Sequence, residues 1–397
     1  MSRRCQRVIH GCLALVGLLG CSEVDRLRMR AFMGNPSAQV ELARMLHTGE
    51  GTPKDDAKAL EWFHEAAEQG HPEAQFSLGV MYATGEGAPQ DPPKAADWFL
   101  AAAEQGDARA QLILGHMYRD GRALPKNPAQ AVEWYRRAAE QGLADAQLHF
   151  GLMLHSGEGV PKDLEQAVAW YRKAAEQGDA AAQFELARAY ELGEGVARDA
   201  AHASVWYHRA AEQRDVRAQL KLGFMYDRGE SVPRDARRAT EWFRAAAERG
   251  DARAESILGF RYHHGEGVVA DTAQAIEWYR KAAEQGDASA QYNLGVMYRN
   301  GEGVPRDVVR GVELWRRAAE QGDARAQEML GASYATGEGV PKDLVRAHMW
   351  LDLAATSGRK QARDVLAFTQ GAMTIAQREE AGKLARAWFE SHRAETP

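Results

Sequence analysis

Three sets of residues in this sequence have types and spacings that could support chemistry: a serine–lysine pair, the histidines and a series of glycine-rich loops. Ser357 and Lys360 have the S-x-x-K spacing of a serine nucleophile and its lysine, but the S-D-N and K-T-G strings that complete such a site do not occur. GEG tripeptides recur along the chain, and none is followed by the Gly-Lys-Ser/Thr of a phosphate-binding loop. We therefore expect no catalytic residues and no nucleotide site.

Metal binding and nucleic-acid binding are also disfavoured. The 13 histidines contain no H-x-x-x-H pair, and all three cysteines lie within the first 21 residues. We therefore expect scattered surface histidines and no metal or other cofactor. Lys and Arg number 50 against 56 Asp and Glu, which gives a formal net charge of −6. This balance lacks the broad basic surface that DNA or RNA binding requires.

The N-terminus has the pattern of a secretory signal peptide. An apolar run at residues 12–19 follows three arginines and is too short to span a membrane. The run ends in Leu18-Leu19-Gly20-Cys21, which resembles the lipobox at which bacterial lipoproteins are cleaved and acylated. Cleavage before Cys21 would leave one cysteine in the mature chain, so no structural disulfide could form. We expect acylation of Cys21; a coincidental cysteine in an ordinary signal peptide is the alternative.

The rest of the chain is one unit repeated nine times. GEG or a close variant occurs every 36 residues without an insertion, beginning at Gly49, Gly85, Gly121, Gly157, Gly193, Gly229, Gly265, Gly301 and Gly337. Such a fixed period is the signature of a repeat architecture. Positions that stay constant over nine copies are expected to be structural, and positions that vary are available for binding.

Each copy contains the signals of two helices. An Asp or Asn precedes an apolar-periodic segment, helix B, where its side chain can accept from first-turn amides. These caps are Asp55, Asp91, Asn127, Asp163, Asp199, Asp235, Asp271, Asp307 and Asp343. Helix B ends at a Glu-Gln-Gly, whose glycine favours a left-handed end, and a second segment, helix A, leads into the GEG loop. The pattern predicts an antiparallel helix pair in every copy.

A tryptophan shares one register of helix B in eight copies, and we expect it in the core. Its spacing beside an Ala-Ala pair puts it on the stripe that faces neighbouring helices, which disfavours an exposed platform for sugars. These residues are Trp62, Trp98, Trp134, Trp170, Trp206, Trp242, Trp278 and Trp350, and the eighth copy departs with Leu314-Trp315. Glycines within helix A, such as Gly151, are expected to let helix backbones approach closely.

The pattern A-x-x-x-LG-x-MY-x-x-GEGV-P-x-D-x-x-x-A-x-x-WY-x-x-AAEQG, read at residues 290–322 with Gly311 for the alanine of helix B and Leu314-Trp315 for the aromatic pair, resembles the Sel-1-like repeat, a tetratricopeptide-like class. The resemblance implies an all-α fold: a right-handed superhelical α/α solenoid of nine 36-residue helix pairs with terminal capping helices. The expected division is a lipoprotein signal peptide (1–20), a lipidated N-terminus with a capping half-repeat (21–34), nine repeats (35–358) and C-terminal capping helices (359–397). Ala123, Arg214 and Ser231 replace glycines of the pattern, and we expect looser or bent joints there.

In the tetratricopeptide arrangement, the side of helix A opposite the core lines a concave groove. Counted from the invariant alanine of helix A, positions +2 and +6 project to that side. They carry more Phe, Leu and Tyr than a solvated surface needs. The expected partner-binding residues are Phe76, Val80, Leu112, His116, Leu148, Leu152, Phe184, Arg188, Leu220, Phe224, Phe260, Tyr292 and Val296. The alternative is that these side chains only pack between neighbouring A helices.

These observations favour a monomeric, non-catalytic, lipid-anchored scaffold that binds an unidentified protein or peptide in its groove. Its expected location is the bacterial cell envelope, on the periplasmic face of the outer membrane, with membrane contact through the lipid on Cys21. Two alternatives remain open. One is recognition of peptidoglycan or another envelope glycan, and the other is a β-lactamase-like hydrolase, which some relatives of this repeat class suggest.

Overall fold

A computed structural model describes residues 23–393, and every regular element in that range is an α-helix, 21 in all. The described chain forms two compact units, unit 1 (residues 23–206) and unit 2 (residues 207–393). The expected all-α class is therefore confirmed. The predicted signal peptide and Cys21 lie outside the described residues. None of the helices in the described range combines the length and the apolar character needed to cross a bilayer.

The helices alternate between two types, as the repeat predicts. The A helices are α2 (Pro36–Thr48), α4 (Pro72–Thr84), α6 (Ala108–Asp120), α8 (Ala144–Ser156), α10 (Ala180–Leu192), α12 (Val216–Arg228), α14 (Ala252–His264), α16 (Ala288–Asn300) and α18 (Ala324–Thr336). The B helices are α3 (Asp56–Glu68), α5 (Pro92–Glu104), α7 (Pro128–Glu140), α9 (Leu164–Glu176), α11 (Ala200–Glu212), α13 (Ala236–Ala247), α15 (Thr272–Glu284), α17 (Val308–Glu320) and α19 (Leu344–Thr356). The additional helices are α1 (Glu23–Phe32), α20 (Lys360–Gly371) and α21 (Ile375–Arg393). Within each unit, helices pack on their neighbours in the chain.

Side-chain caps begin the helices where the sequence indicates. All nine predicted caps accept a hydrogen bond from a first-turn amide of helix B, as Asp163 does from the Gln166 amide at 2.9 Å. Seven A helices begin in the same way, at Asn35, Asp107, Asp179, Asp215, Asp251, Asp287 and Asp323. Each cap satisfies an amide that has no partner inside its own helix, which sets where the helix begins.

The three substituted joints keep the backbone of the other copies. Ala123 and Ser231 have φ angles of 63 and 65°, close to the 75° of the equivalent Gly159, and Arg214 has a φ of 68°, in the same left-handed region as the equivalent Gly178 at 96°. A side chain in this left-handed region costs about 1–3 kcal/mol, so it persists only where the surrounding structure imposes it. Packing of the repeats therefore holds these joints in the common geometry, in place of the looser or bent joints we expected.

The aromatic residue after the tryptophan lies deeper in the core than the tryptophan itself. Tyr171 is fully buried, whereas Trp170 is half-buried at the edge of the same core. A Cβ atom on Gly151 would lie 2.7 Å from Tyr171 Cε1. The helix-A glycine is thus required for close approach, as expected, and the group that approaches is an aromatic ring. Six of the eight tryptophans of this register are half-buried, whereas Trp134 and Trp350 are buried in the core.

The eighth repeat shows the same core position with a different residue. Trp315 takes the place that Tyr171 has in the fourth repeat and is fully buried. Its indole N–H donates to the Tyr292 carbonyl at 3.1 Å, so the polar atom of the larger ring is satisfied. In the eighth repeat Trp315 therefore fills the buried position of the tyrosine, and Leu314 stands in the register of the tryptophans.

A buried glutamine next to the invariant alanine of helix A links consecutive helices, and sequence reasoning did not assign it. Gln111 Nε2 donates to the Ala103 carbonyl at 3.0 Å, and Gln111 Oε1 accepts from Gln141 Nε2 at 2.8 Å. The same two bonds recur at Gln39, Gln75, Gln147 and Gln291. Each of these carbonyls also accepts from the amide of the glycine that follows its helix, as Ala103 does from Gly106 at 3.0 Å, so the glutamine adds a second bond at the helix end.

This hydrogen-bond ladder is altered in unit 2. Glu255 replaces the glutamine in the seventh repeat, where it is buried and accepts from Gln285 Nε2 at 2.8 Å. Burial raises the pKa of Glu255, because the charged carboxylate is desolvated there. In the sixth repeat, Arg249 replaces the glutamine that in other repeats donates to the helix-A glutamine, as Gln141 does to Gln111. The helix-A glutamine of this repeat is Gln219, and its Oε1 is buried with no hydrogen-bond partner in the described part of the chain.

The additional helices precede the first repeat and follow the last. Helix α1 lies in the predicted capping half-repeat, and it buries Leu27 and Ala31. Helix α21 begins with a capping box. The Gln377 amide donates to Thr374 Oγ1 at 3.3 Å, and the Thr374 amide donates to Gln377 Oε1 at 2.9 Å. Helix α21 packs on α19, the last B helix of the repeats.

Candidate functional site

In unit 2, three A helices carry predicted partner-binding aromatics on one face, here called the A-helix face (positions +2 and +6). Phe224 of α12 is half-buried, with its ring centre 5.1 Å from that of Phe243 in an edge-on contact. Phe260 of α14 is 40% exposed, and Tyr292 of α16 is half-buried. The remaining predicted residues of this unit are also half-buried, and these are Leu220 and Val296. The side chains therefore combine contact with the core and an accessible surface.

Some of these side chains line an open pocket of about 450 Å³. Four successive A helices contribute to it, with Phe224, Arg253, Ser256, Phe260, Asn293 and Arg325 among the lining residues. The Arg253 guanidinium carbon lies 5.0 Å from the Phe224 ring centre. Arg325 donates to Asp323 at 2.7 Å, whereas Arg253 forms no ion pair within residues 23–393. The pocket thus joins apolar surface to the Arg253 guanidinium, which forms no ion pair with the described residues, and it is also lined by Asp287.

In unit 1, the predicted residues divide between the core and the surface. Leu148 is 6% exposed and belongs to the main hydrophobic core of the unit, so it offers a partner little surface. Phe76 is half-buried, and the Arg109 guanidinium carbon lies 4.1 Å from its ring centre. Arg188 Nε donates to Glu185 Oε2 at 3.0 Å. The other predicted residues besides His116 are half-buried, and these are Val80, Leu112, Leu152 and Phe184.

Two histidines that sequence reasoning treated as scattered lie side by side in unit 1. The ring centres of His116 on α6 and His149 on α8 are 4.6 Å apart. His149 Nε2 lies 3.3 Å from Asp145 Oδ1, and the metal-ligand atoms of these three residues all lie within 4.8 Å of one another. Burial, with smaller contributions from His149 and Arg119, lowers the pKa of His116 to about 4. His116 and His149 belong to different copies of the repeat, so a search for pairs within one helix could not find them.

A buried arginine in unit 2 is a second polar feature that the sequence did not reveal. Arg261 of α14 is buried and donates to Asp227 of α12 and, at 3.1 Å, to Thr240 Oγ1 of α13. Its guanidinium carbon lies 5.0 Å from the Phe243 ring centre. A buried cation with these partners links three helices, and removal of one partner would leave an uncompensated charge. Its contacts assign it to packing.

The glutamates of the GEG loops pair with the preceding repeat in several copies. Glu302 Oε1 lies 2.7 Å from His263 Nε2, and Arg299 Nη2 donates to Glu338 Oε2 at 3.0 Å. The pairs remain partly exposed, so each contributes about 0–1 kcal/mol.

Comparison with known proteins agrees with the repeat period. The Sel1 repeat matches residues 36–71, 72–107, 108–143, 144–179, 180–215, 216–251, 252–287, 288–323 and 324–358. The chain belongs to the Sel1 repeat family. None of the curated proteins matches it.

Two solved structures extend the comparison to the fold. One is a protective antigen present in uropathogenic Escherichia coli strains, displaying an SLR fold; it is 32% identical with a TM-score of 0.62, over 98% of this chain and 92% of that chain. The other is a Sel1 repeat protein from Oxalobacter formigenes, 32% identical with a TM-score of 0.53, over 62% of this chain and 96% of that chain. The fold is therefore that of a Sel1 repeat solenoid, a scaffold that generally serves protein interaction.

The S-x-x-K residues lie where the Sel1 repeats end. Ser357 follows α19 and Lys360 begins α20, and both side chains are exposed. A serine nucleophile of this type needs a buried helix start with supporting polar groups. The exposed position therefore favours a role as a turn between two Sel1-type helices, in a family that is typically non-catalytic.

Proposed function

We propose that this Sel1 repeat protein is a non-catalytic scaffold that binds an extended segment of another protein along the A-helix face of unit 2. The observation that carries the proposal is the pocket to which α12, α14, α16 and α18 all contribute. A segment lying across these helices would meet side chains of four repeats in succession. Peptide recognition of this kind draws most of its energy from a few aromatic or arginine anchors.

The chemistry of the pocket suits a segment that carries an acidic side chain next to an apolar one. Arg253 supplies a guanidinium without an ion-pair partner in the described range, over the ring of Phe224 and in the same pocket as Phe260. A carboxylate can accept two hydrogen bonds from one guanidinium. The neighbouring phenylalanines would then cover the apolar side chain.

Site-specific photo-cross-linking in expressing cells tests this function. A photoreactive phenylalanine analogue is placed at position 260 and, as a matched control, at position 368. Both phenylalanines are exposed residues of unit 2, at 40% and 76%, and Phe368 does not line the pocket. We expect a protein adduct at position 260 that Arg253→Ala abolishes, and none at position 368.

Two results would contradict the proposal. Equal adducts at positions 260 and 368 would show that contact is not confined to the pocket. Binding of purified peptidoglycan by the wild-type protein, without any protein adduct at position 260, would favour the glycan-binding alternative. Phe260→Ser serves as a further variant, since a side chain this exposed can be replaced at little cost in folding.

We further propose that acylation of Cys21 holds the scaffold on the periplasmic face of the outer membrane. The resemblance of Leu18-Leu19-Gly20-Cys21 to a lipobox supports this, and helix α1 begins two residues later, at Glu23. At least two acyl chains are needed, because one gives only marginal membrane binding. Intact mass should show them on Cys21. A Cys21→Ser protein that still partitions wholly with membranes would refute the anchor.

A further inference from the structure

We propose that His116, Asp145 and His149 form a binding site for a divalent transition-metal ion, for which Zn²⁺ is the suitable probe. The proposal concerns unit 1 and is independent of peptide binding in unit 2. It differs from the absence of a metal expected from the sequence, because the three residues come from two copies of the repeat and meet only in the folded chain.

The donor set matches the preferences of zinc. Two imidazole nitrogens and one carboxylate oxygen are typical of sites with three protein ligands and one position open to water or an external donor. The three ligand atoms lie within 4.8 Å of one another. Ligands at about 2.0–2.1 Å around a tetrahedral ion are separated by about 3.3 Å, so side-chain rotations need to close a gap of about 1.5 Å at most. Asp145 is exposed and His149 is half-buried, which leaves both side chains room for this movement.

A buried tyrosine holds the first histidine in a suitable orientation. The hydroxyl of Tyr135 lies 2.8 Å from His116 Nδ1, and Tyr135 is fully buried between α6 and α8. With Nδ1 engaged by this hydroxyl, Nε2 is the His116 atom available to a metal. Metal-bound histidines almost always have such an outer partner on the second ring nitrogen. This hydrogen bond exists without the metal, so part of the site is preorganised.

An arginine competes for the second histidine. Arg119 Nη1 lies 3.3 Å from His149 Nδ1, while Arg119 Nε donates to Asp120 Oδ1 at 2.8 Å. If the metal binds His149 Nε2, then Nδ1 carries the proton and cannot accept from Arg119. The guanidinium must turn aside, which the bond to Asp120 allows. Removing this cation should therefore strengthen metal binding, an effect that unspecific binding to surface histidines would not show.

Zinc titration of the mature, untagged chain tests the site. The protein is freed of metal with EDTA and dialysed, and Zn²⁺ affinity is measured by competition with a chromophoric chelator, with circular dichroism as a folding check. We expect one Zn²⁺ per chain and at least tenfold weaker binding in His116→Ala and His149→Ala. Tyr135→Phe should weaken binding by about 10–100-fold, as loss of an outer partner does. Arg119→Gln should strengthen it.

Two further variants keep the test decisive. His202 forms a lone histidine–aspartate pair, with Nδ1 2.7 Å from Asp199 Oδ2, so His202→Ala controls for ordinary His–Asp pairs and should leave the affinity unchanged. Asp145→Asn alters an exposed side chain and should weaken binding even if a histidine variant folds poorly. Absence of 1:1 binding, or an affinity that Asp145→Asn and the folded histidine variants leave unchanged, would overturn the proposal.

Discussion

Tyr171 and Tyr135 occupy the same core position of consecutive repeats but differ in what their hydroxyl groups contact. Tyr171 is 1% exposed, and its hydroxyl is buried without a hydrogen-bond partner in the described chain. Tyr135 is 0% exposed, and its hydroxyl lies 2.8 Å from His116 Nδ1. The equivalent residue of the second repeat is Phe99, so a ring without a hydroxyl fits this position. We predict that Tyr171→Phe stabilises the protein and that Tyr135→Phe destabilises it.

The magnitudes follow from the two environments. A buried polar group without a partner costs about 1–3 kcal/mol, and a satisfied hydrogen bond contributes about 0.5–1.5 kcal/mol. Both substitutions keep the ring and remove one oxygen atom, so neither leaves a large cavity. Tyr171→Phe should therefore raise the free energy of unfolding by about 1 kcal/mol. Tyr135→Phe should lower it by a similar amount, because it also leaves His116 Nδ1 without this partner.

Urea unfolding in the presence of EDTA measures both effects without a contribution from bound metal. Long repeat arrays can unfold in more than one step, so hydrogen exchange of α8 and α9 is compared alongside the midpoints. Tyr279→Phe in unit 2 provides an independent second case, since the Tyr279 hydroxyl is also buried without a hydrogen-bond partner among residues 23–393. Equal destabilisation by Tyr171→Phe and Tyr135→Phe would show that the Tyr171 hydroxyl has a partner, such as a buried water, and would refute the reasoning.

Glu255→Gln should stabilise the protein at neutral pH and make its free energy of unfolding less dependent on pH. Burial raises the pKa of Glu255 in the folded state above its unfolded-state pKa of about 4.3. The stability that Glu255 contributes is therefore complete below the unfolded-state pKa and is lost as pH rises through the folded-state pKa. Unfolding measured at several pH values would detect this loss. Arg249→Gln should add about 1 kcal/mol in urea unfolding, since a glutamine there can donate to Gln219 Oε1; no change would mean that this oxygen is already satisfied. Trp170→Ala should cost less than the roughly 3–5 kcal/mol of a fully buried aromatic residue, because Trp170 is half-buried. An unchanged melting curve combined with lost partner capture would instead make Trp170 a contact residue.

The helices of this protein could be predicted from the sequence because their signals are local. An Asp such as Asp163 accepts from an amide three residues later, and a glycine such as Gly157 takes a left-handed angle at the end of its own helix. Nine copies in one chain separate these fixed positions from variable ones without any other sequence. Helix type, helix ends and the face that meets the core therefore follow from spacing alone.

Contacts between copies cannot be predicted from spacing, because they depend on how one helix pair is shifted and rotated against the next. Periodicity places His116 and His149 on faces of two helices, but only their packing brings the rings to 4.6 Å. Periodicity also assigns Trp170 and Tyr171 to one apolar stripe. The close approach of Gly151 to the Tyr171 ring is what places the tyrosine deeper in the core than the tryptophan.

The same physical reason separates the predicted partner-binding residues. Position +2 carries Leu148 in one copy and Tyr292 in another, and the sequence treats them alike. In the folded chain Leu148 is enclosed by its neighbours, whereas Tyr292 stays half-buried with the Arg325 guanidinium carbon 4.5 Å from its ring centre. Burial at such a position depends on the side chains that adjacent copies direct at it. The sequence by itself determined the repeat, its helices and their apolar faces; tertiary packing alone decided which residues of those faces remain accessible.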